Sequence, residues 1–139
     1  MFRNVVVFIV SAIVGLGFVG FAQAKKKPRT IANGSWGGQH IQLSVANGSA
    51  TIEYDCANGT ITGPLKIDSR GRFDLRGVHT REHGGPVRID EKRQGEAAQY
   101  TGWTDGKKMK LTVTLVNSKT EIGSFELTRG SEGRVFKCR

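Results

Sequence analysis

The sequence predicts an all-β chain: a small antiparallel up-and-down barrel of about eight strands, stapled by one disulfide. Three observations predict it. From Trp36 onward, apolar and polar residues alternate in short runs, the period of a half-buried strand. The pairs Asn47-Gly48, Asn58-Gly59, Arg70-Gly71 and Asp105-Gly106 fall between those runs, where hairpins need a positive φ. No segment beyond residue 24 carries an apolar stripe of helical period. An open sheet of that many short strands would leave two sticky edges. Closure removes them and favours a barrel over the alternative, a β-sandwich.

Residues 1–24 read as a secretory signal peptide. Arg3 precedes an apolar run from Val5 to Phe21, and Ala22-Gln23-Ala24 supplies the small residues a signal peptidase reads. An uncleaved anchor is the alternative. Residues 25–33 begin Lys-Lys-Lys-Pro-Arg-Thr and read as a flexible basic arm. Residues 34–139 are then a single barrel domain.

Within that domain, His40 to Ala46 sets Ile41, Leu43 and Val45 on one face, and Thr51 to Cys56 sets Ile52, Tyr54 and Cys56 together. Thr60 to Ile67 offers Ile61, Leu65 and Ile67 but is interrupted by Gly63-Pro64, which marks an edge or bulge. Arg72 to Val78 turns Phe73 and Leu75 inward. Thr80 to Glu96 is charged and glycine-rich, a long loop around a short strand at Pro86 to Ile89. Ala98 to Thr104, Lys108 to Val116, Glu121 to Thr128 and Arg134 to Cys138 complete the set, with Met109, Leu111, Val113 and Leu115 as the clearest stripe. Phe73, Tyr54, Tyr100, Met109, Phe125 and Phe136 are expected inside, which favours a filled interior over a roomy one.

The chain carries 21 Lys and Arg against 12 Asp and Glu. The basic residues are scattered, so a generally basic surface is expected, suited to an anionic glycan, a lipid surface or an acidic protein rather than to a specific nucleic acid. The two cysteines, Cys56 and Cys138, are expected to pair, as cysteines of exported chains do. Closing so long a loop contributes about 4 kcal/mol in the chain-entropy treatment.

Gly34-Ser35-Trp36, ahead of the first expected strand, resembles the Gly-x-Trp that opens lipocalin and avidin-type barrels. Tyr100-Thr101-Gly102 followed by Asp105-Gly106 is similar to the avidin rhythm. The resemblance implies that Trp36 packs at the closed end of the barrel beneath a basic residue of the last strand, Arg134 or Lys137. It implies nothing about cargo, and biotin binding does not carry over.

Catalytic signals are weak. His79-Thr80-Arg81-Glu82-His83 spells a zinc-peptidase pattern, but that chemistry needs a helix, and Gly77 and Gly84-Gly85-Pro86 forbid one. A polar loop is expected there, with no metal or other cofactor. Asn33, Asn47 and Asn58 each begin a glycosylation triplet and coincide with expected turns. Trp103 falls on the face opposite Tyr100, beside Lys107 and Lys108, and is the best candidate contact surface. The reading that results is an exported, periplasmic or secreted, non-enzymatic binding module. The alternative is an inhibitor of a secreted or periplasmic hydrolase, inserting the loop from Thr80 to Glu96 or the basic arm.

Overall fold

The computed structural model describes residues 29–91 and 94–139; the leader expected over residues 1–24 and the start of the basic arm lie outside them. Eight antiparallel strands follow in chain order: β1 (Gly34–Gly38), β2 (Ile41–Ala46), β3 (Ser49–Tyr54), β4 (Ala57–Ile61), β5 (Arg72–Arg81), β6 (Glu96–Thr104), β7 (Lys108–Leu115) and β8 (Glu121–Arg129). Each pairs with the next and β8 returns to β1, so the sheet is a closed up-and-down barrel. Cys56 and Cys138 form the disulfide.

Eight strands were expected and eight form, but the set is shifted by one. Gly34–Gly38 is a strand although it has no apolar alternation. Arg134 to Cys138, expected as the last strand, is not one. The seam explains both. β8 pairs with β1 through Trp36↔Arg129 and Gly37↔Thr128, which uses the last free edge and leaves the C-terminal segment nothing to extend.

From Gly130 that segment runs instead as a strap along the outer wall. Arg134 donates its N–H to the Gly38 carbonyl at 3.0 Å and accepts from the His40 N–H at 2.8 Å. The backbone of Glu132 and Gly133 lies so close over Gly37 that a Cβ there would sit 2.4 Å from it. Only glycine permits that approach. Phe136, expected inside, is therefore on the strap, 55% exposed and resting against the His40 ring at 5.8 Å.

Two further boundaries differ. The β3–β4 hairpin turns at Asp55-Cys56, with Cys56 at φ 57°, and not at Asn58-Gly59, which lies inside β4. A Cβ on Gly59 would come within 2.3 Å of the Tyr100 hydroxyl, so that glycine makes room for a ring rather than for a turn. Asn47-Gly48 does turn the β2–β3 hairpin, both residues at positive φ. β5 runs on to Arg81, which carries His79 and Thr80 out of the expected loop. No strand forms at Pro86 to Ile89, where Val87 and Ile89 are exposed.

The inward face is one apolar core that includes Ile41, Leu43, Ile52, Phe73, Met109, Leu111, Val113 and Leu127. One end is plugged. Ile31 donates to the Leu65 carbonyl at 2.9 Å and Ile67 to that of Arg29 at 3.0 Å, so residues 29–33 are pinned across the barrel base rather than forming a free arm. Ile31 and Leu65 are buried there against the core. Trp36, at 0% exposure, donates its indole N–H to Ala32 O at 3.1 Å. The basic residue opposite Trp36 on the last strand is Arg129, whose guanidinium donates to Asn33 O at 2.8 Å. Arg134 and Lys137 lie on the strap, Lys137 pairing with Glu53 at 3.5 Å.

Candidate functional site

The opposite end of the barrel is open. It is built where β5 outlasts its apolar stripe. The inward positions of β5 read Phe73, Leu75, Gly77, His79 and Arg81, so strand parity carries two nitrogen-rich side chains to the mouth. β3 contributes Tyr54 from its last inward position, and β8 contributes Phe125. Together with His40, Asp55, Glu82 and Ile122 they line a cavity of about 590 Å³.

Its floor is polar and fully buried. Tyr100 donates its hydroxyl proton to the Val78 carbonyl at 2.9 Å. Tyr54, 3% exposed, packs its ring against His79 at 5.4 Å and Phe125 at 5.6 Å. Neither the Tyr54 hydroxyl nor Nδ1 of His79, itself 2% exposed, has a hydrogen-bonding partner among the described residues. A buried polar atom left so costs about 1–3 kcal/mol, and native folds carry few of them.

Burial sets the protonation of both groups. It pushes the Tyr54 phenol well above its ordinary range, with the charge and hydroxyl of the neighbouring Tyr100 adding to the effect, and it raises the Tyr100 phenol against a smaller opposing pull from Tyr54. Both keep their protons. Burial also lowers the His79 pKa, and the Arg81 charge beside it lowers it further against a smaller opposing pull from Glu96. His79 is thus a neutral imidazole, one nitrogen a donor and the other an acceptor.

The rim is fixed by the disulfide and the strap. Asp55 accepts the Phe136 N–H on one oxygen at 2.8 Å and meets Nδ1 of His40 with the other at 2.5 Å. Cys56 donates its N–H to Phe136 O at 3.3 Å. Glu82 accepts from the Asn58 amide at 2.9 Å.

The pattern over residues 79–83 is divided by the fold. His79 lies inside the barrel wall, whereas His83 lies in the loop beyond and is bonded to Glu91. No group of three or more metal-ligating side chains occurs among the described residues.

The contact surface expected around Trp103 lies elsewhere, on the outer wall. Trp103, 42% exposed, stands between Arg72 and Lys110 on the neighbouring strands. Trp103, Lys108, Lys110, Glu132 and Arg134 border a groove of about 960 Å³ between β7, β8 and the strap. Lys107 is not part of it; its N–H is tied into the turn by Asp105 at 2.8 Å. The groove is larger than the mouth, but its charged groups are solvated, and none is an orphaned buried atom.

Tyr54 and Tyr100 lie inward as their strand parity predicts, whereas His79 and Arg81, at the polar end of β5, are mouth residues that no apolar pattern marks. The signal available was the alternation itself, which continues past Leu75 at the same parity with polar residues. No protein-family model, curated protein or solved structure matches the chain.

Proposed function

We propose that the protein is an exported, non-enzymatic binding module that takes a small ligand at the open mouth of its barrel. One observation carries the reading: two orphaned polar atoms, the Tyr54 hydroxyl and Nδ1 of His79, sit buried on the floor of a concave site. Neither atom has accessible surface, so a ligand reaches them only where the two rings turn toward it; bonding to them would then remove their desolvation cost and contribute affinity. Tyr54 and Tyr100 hold their protons and His79 stays neutral, so each offers a ligand an uncharged hydrogen-bonding group. Export is supported by the apolar leader sequence and by a disulfide that persists only in an oxidising compartment.

Thermal-shift screening of the purified, disulfide-bonded protein against glycans, haem, lipids and small organic acids and amides tests the reading. A hit is expected to raise the melting temperature in the wild type and by less in Tyr54→Phe. Silence toward every class would overturn it.

A second reading has its own observation. Val87 and Ile89 are exposed on the loop between β5 and β6, an apolar pair a hydrolase cleft could accept. Inhibition of a periplasmic or secreted hydrolase that is lost in a Val87→Ser, Ile89→Ser double variant would favour this inhibitor role.

A further inference from the structure

We infer that the ligand of the mouth is a compact organic cation, a protonated amine on an apolar body, drawn in by the carboxylates of Asp55, Glu82 and Glu121. The inference rests on the mouth being the binding site and adds the charge and shape of what enters it. The three acids reach the cavity from three separate places: the β3–β4 turn, the residue after β5 and the first residue of β8. Against them the lining sets a single permanent cation, the exposed Arg81.

Their charge survives the contacts they make. Glu82 accepts from the Asn58 amide and Glu121 from the Ser124 hydroxyl, neutral donors that orient a carboxylate without discharging it. Asp55 accepts the Phe136 N–H and meets Nδ1 of the exposed His40. Three carboxylates against one guanidinium leave the lining net negative whether or not His40 is protonated. The chain as a whole carries +9, so the mouth is an acidic opening in a basic protein. Cations elsewhere on the surface are screened beyond about 10 Å at ~0.1 M salt. The walls of a cleft, in contrast, focus the field of the groups that line it.

The spread of that charge favours an organic cation over a metal ion. No three acidic or imidazole groups among the described residues gather closely enough to hold one ion. A primary ammonium instead directs three N–H donors to separate partners. The carboxylates, the Tyr54 oxygen and the neutral His79 ring each carry a lone pair to receive one. Tyr54 and His79 are also where the floor is incomplete, each buried with a polar atom that has no partner. The half-buried Ile122 and Phe125 give the ligand body an apolar wall, and the face of an aromatic ring itself attracts a cation. At about 590 Å³ the space suits a ring on a short arm and not an extended lipid.

Amide-resolved NMR titration of the disulfide-bonded protein separates this inference from the reading beneath it. The probes match in size and differ in charge at neutral pH: phenethylamine, a cation; phenylethanol, neutral; and phenylacetate, an anion. Phenethylamine is expected to shift mouth resonances and to bind about tenfold or more tightly than the alcohol at low salt. Phenylacetate should bind weakest. A Glu82→Gln, Glu121→Gln double variant keeps the acceptor oxygens and removes the charges, and should cut the preference for the amine about threefold or more. Arg81→Gln, a change at an exposed side chain, should tighten the amine about twofold or more. Equal binding of amine and alcohol, tighter binding of phenylacetate, an undiminished preference in the double variant, or a weaker amine in Arg81→Gln overturns the cation and leaves the mouth as the site. No shift at any mouth residue with all three probes up to ~10 mM overturns both.

Discussion

The two ends of this barrel are made from the same strands and solve opposite problems. At the base no buried side-chain polar atom lacks a partner among the described residues: the Trp36 indole is answered by Ala32 O, the Arg129 guanidinium by Asn33 O, and the chain itself pairs residues 29–31 with 65–67. At the mouth the inward positions turn polar while still buried, and two of their atoms are left without partners. The base is built for stability alone. The mouth holds back part of the stability its burial could supply, which is the pattern of a site that something else completes.

Substitutions at each end sharpen the contrast. The largest effect is expected at the base, where Trp36→Ala removes a fully buried indole and should cost about 4 kcal/mol in urea unfolding. A loss below about 1 kcal/mol would deny the base its structural role. Removing the crosslink with Cys56→Ser and Cys138→Ser should cost up to about 4 kcal/mol. Hydrogen exchange should then quicken at Cys56 and His40, whose N–H groups bond the strap, and stay slow at Ile31 and Ile67. Equal quickening at both ends would mean that the strap supports the whole barrel and not the rim.

A third effect depends on pH. Because the folded His79 pKa lies below its ordinary value, protons bind the unfolded chain more readily. The stability His79 contributes is complete above its unfolded pKa, about 6.5, and is lost as pH falls toward the folded value. The slope contributed by this residue is at most about 1.4 kcal/mol per pH unit. It should be absent from His79→Gln, so that the difference between wild type and variant carries this slope in denaturant unfolding across pH 5 to 7.

The smallest effect divides two residues of one type. Tyr100→Phe deletes the hydrogen bond to the Val78 carbonyl and should destabilise by about 1 kcal/mol, whereas Tyr54→Phe deletes an unpartnered hydroxyl and should be neutral or stabilising. If both changes destabilise equally, Tyr54 has no unmet need and the contrast between the two ends is lost.

How far the sequence revealed all this varies by residue. The β7 stripe and the Asn47-Gly48 turn were plain, because alternation and positive-φ chemistry are local properties. β1 was hidden, since Gly37 and Gly38 are glycines for the sake of a close approach to the strap and to Glu126. Asn58-Gly59 misled for a kindred reason: Gly59 yields space to a tyrosine from two strands away, a demand set by tertiary packing. His79 and Arg81 were read as loop, because polar residues at inward positions look like the end of a strand. That exception to the inside-apolar rule is also what marks the site.

The disulfide has a consequence for the order of assembly. Cys56 is synthesised before β5 to β8, and its partner lies 82 positions later, beyond β8. The strap reaches Cys56 only by lying along β1 and the β1–β2 turn, a path that is set once β8 has closed against β1. The sulfurs are thus expected to join after the cylinder exists, and refolding of the Cys56→Ser, Cys138→Ser variant at an unchanged rate would bear this out. A crosslink made after the folding barrier slows opening far more than it hastens closing, so this one acts as a latch on a finished vessel, prolonging the life of the rim.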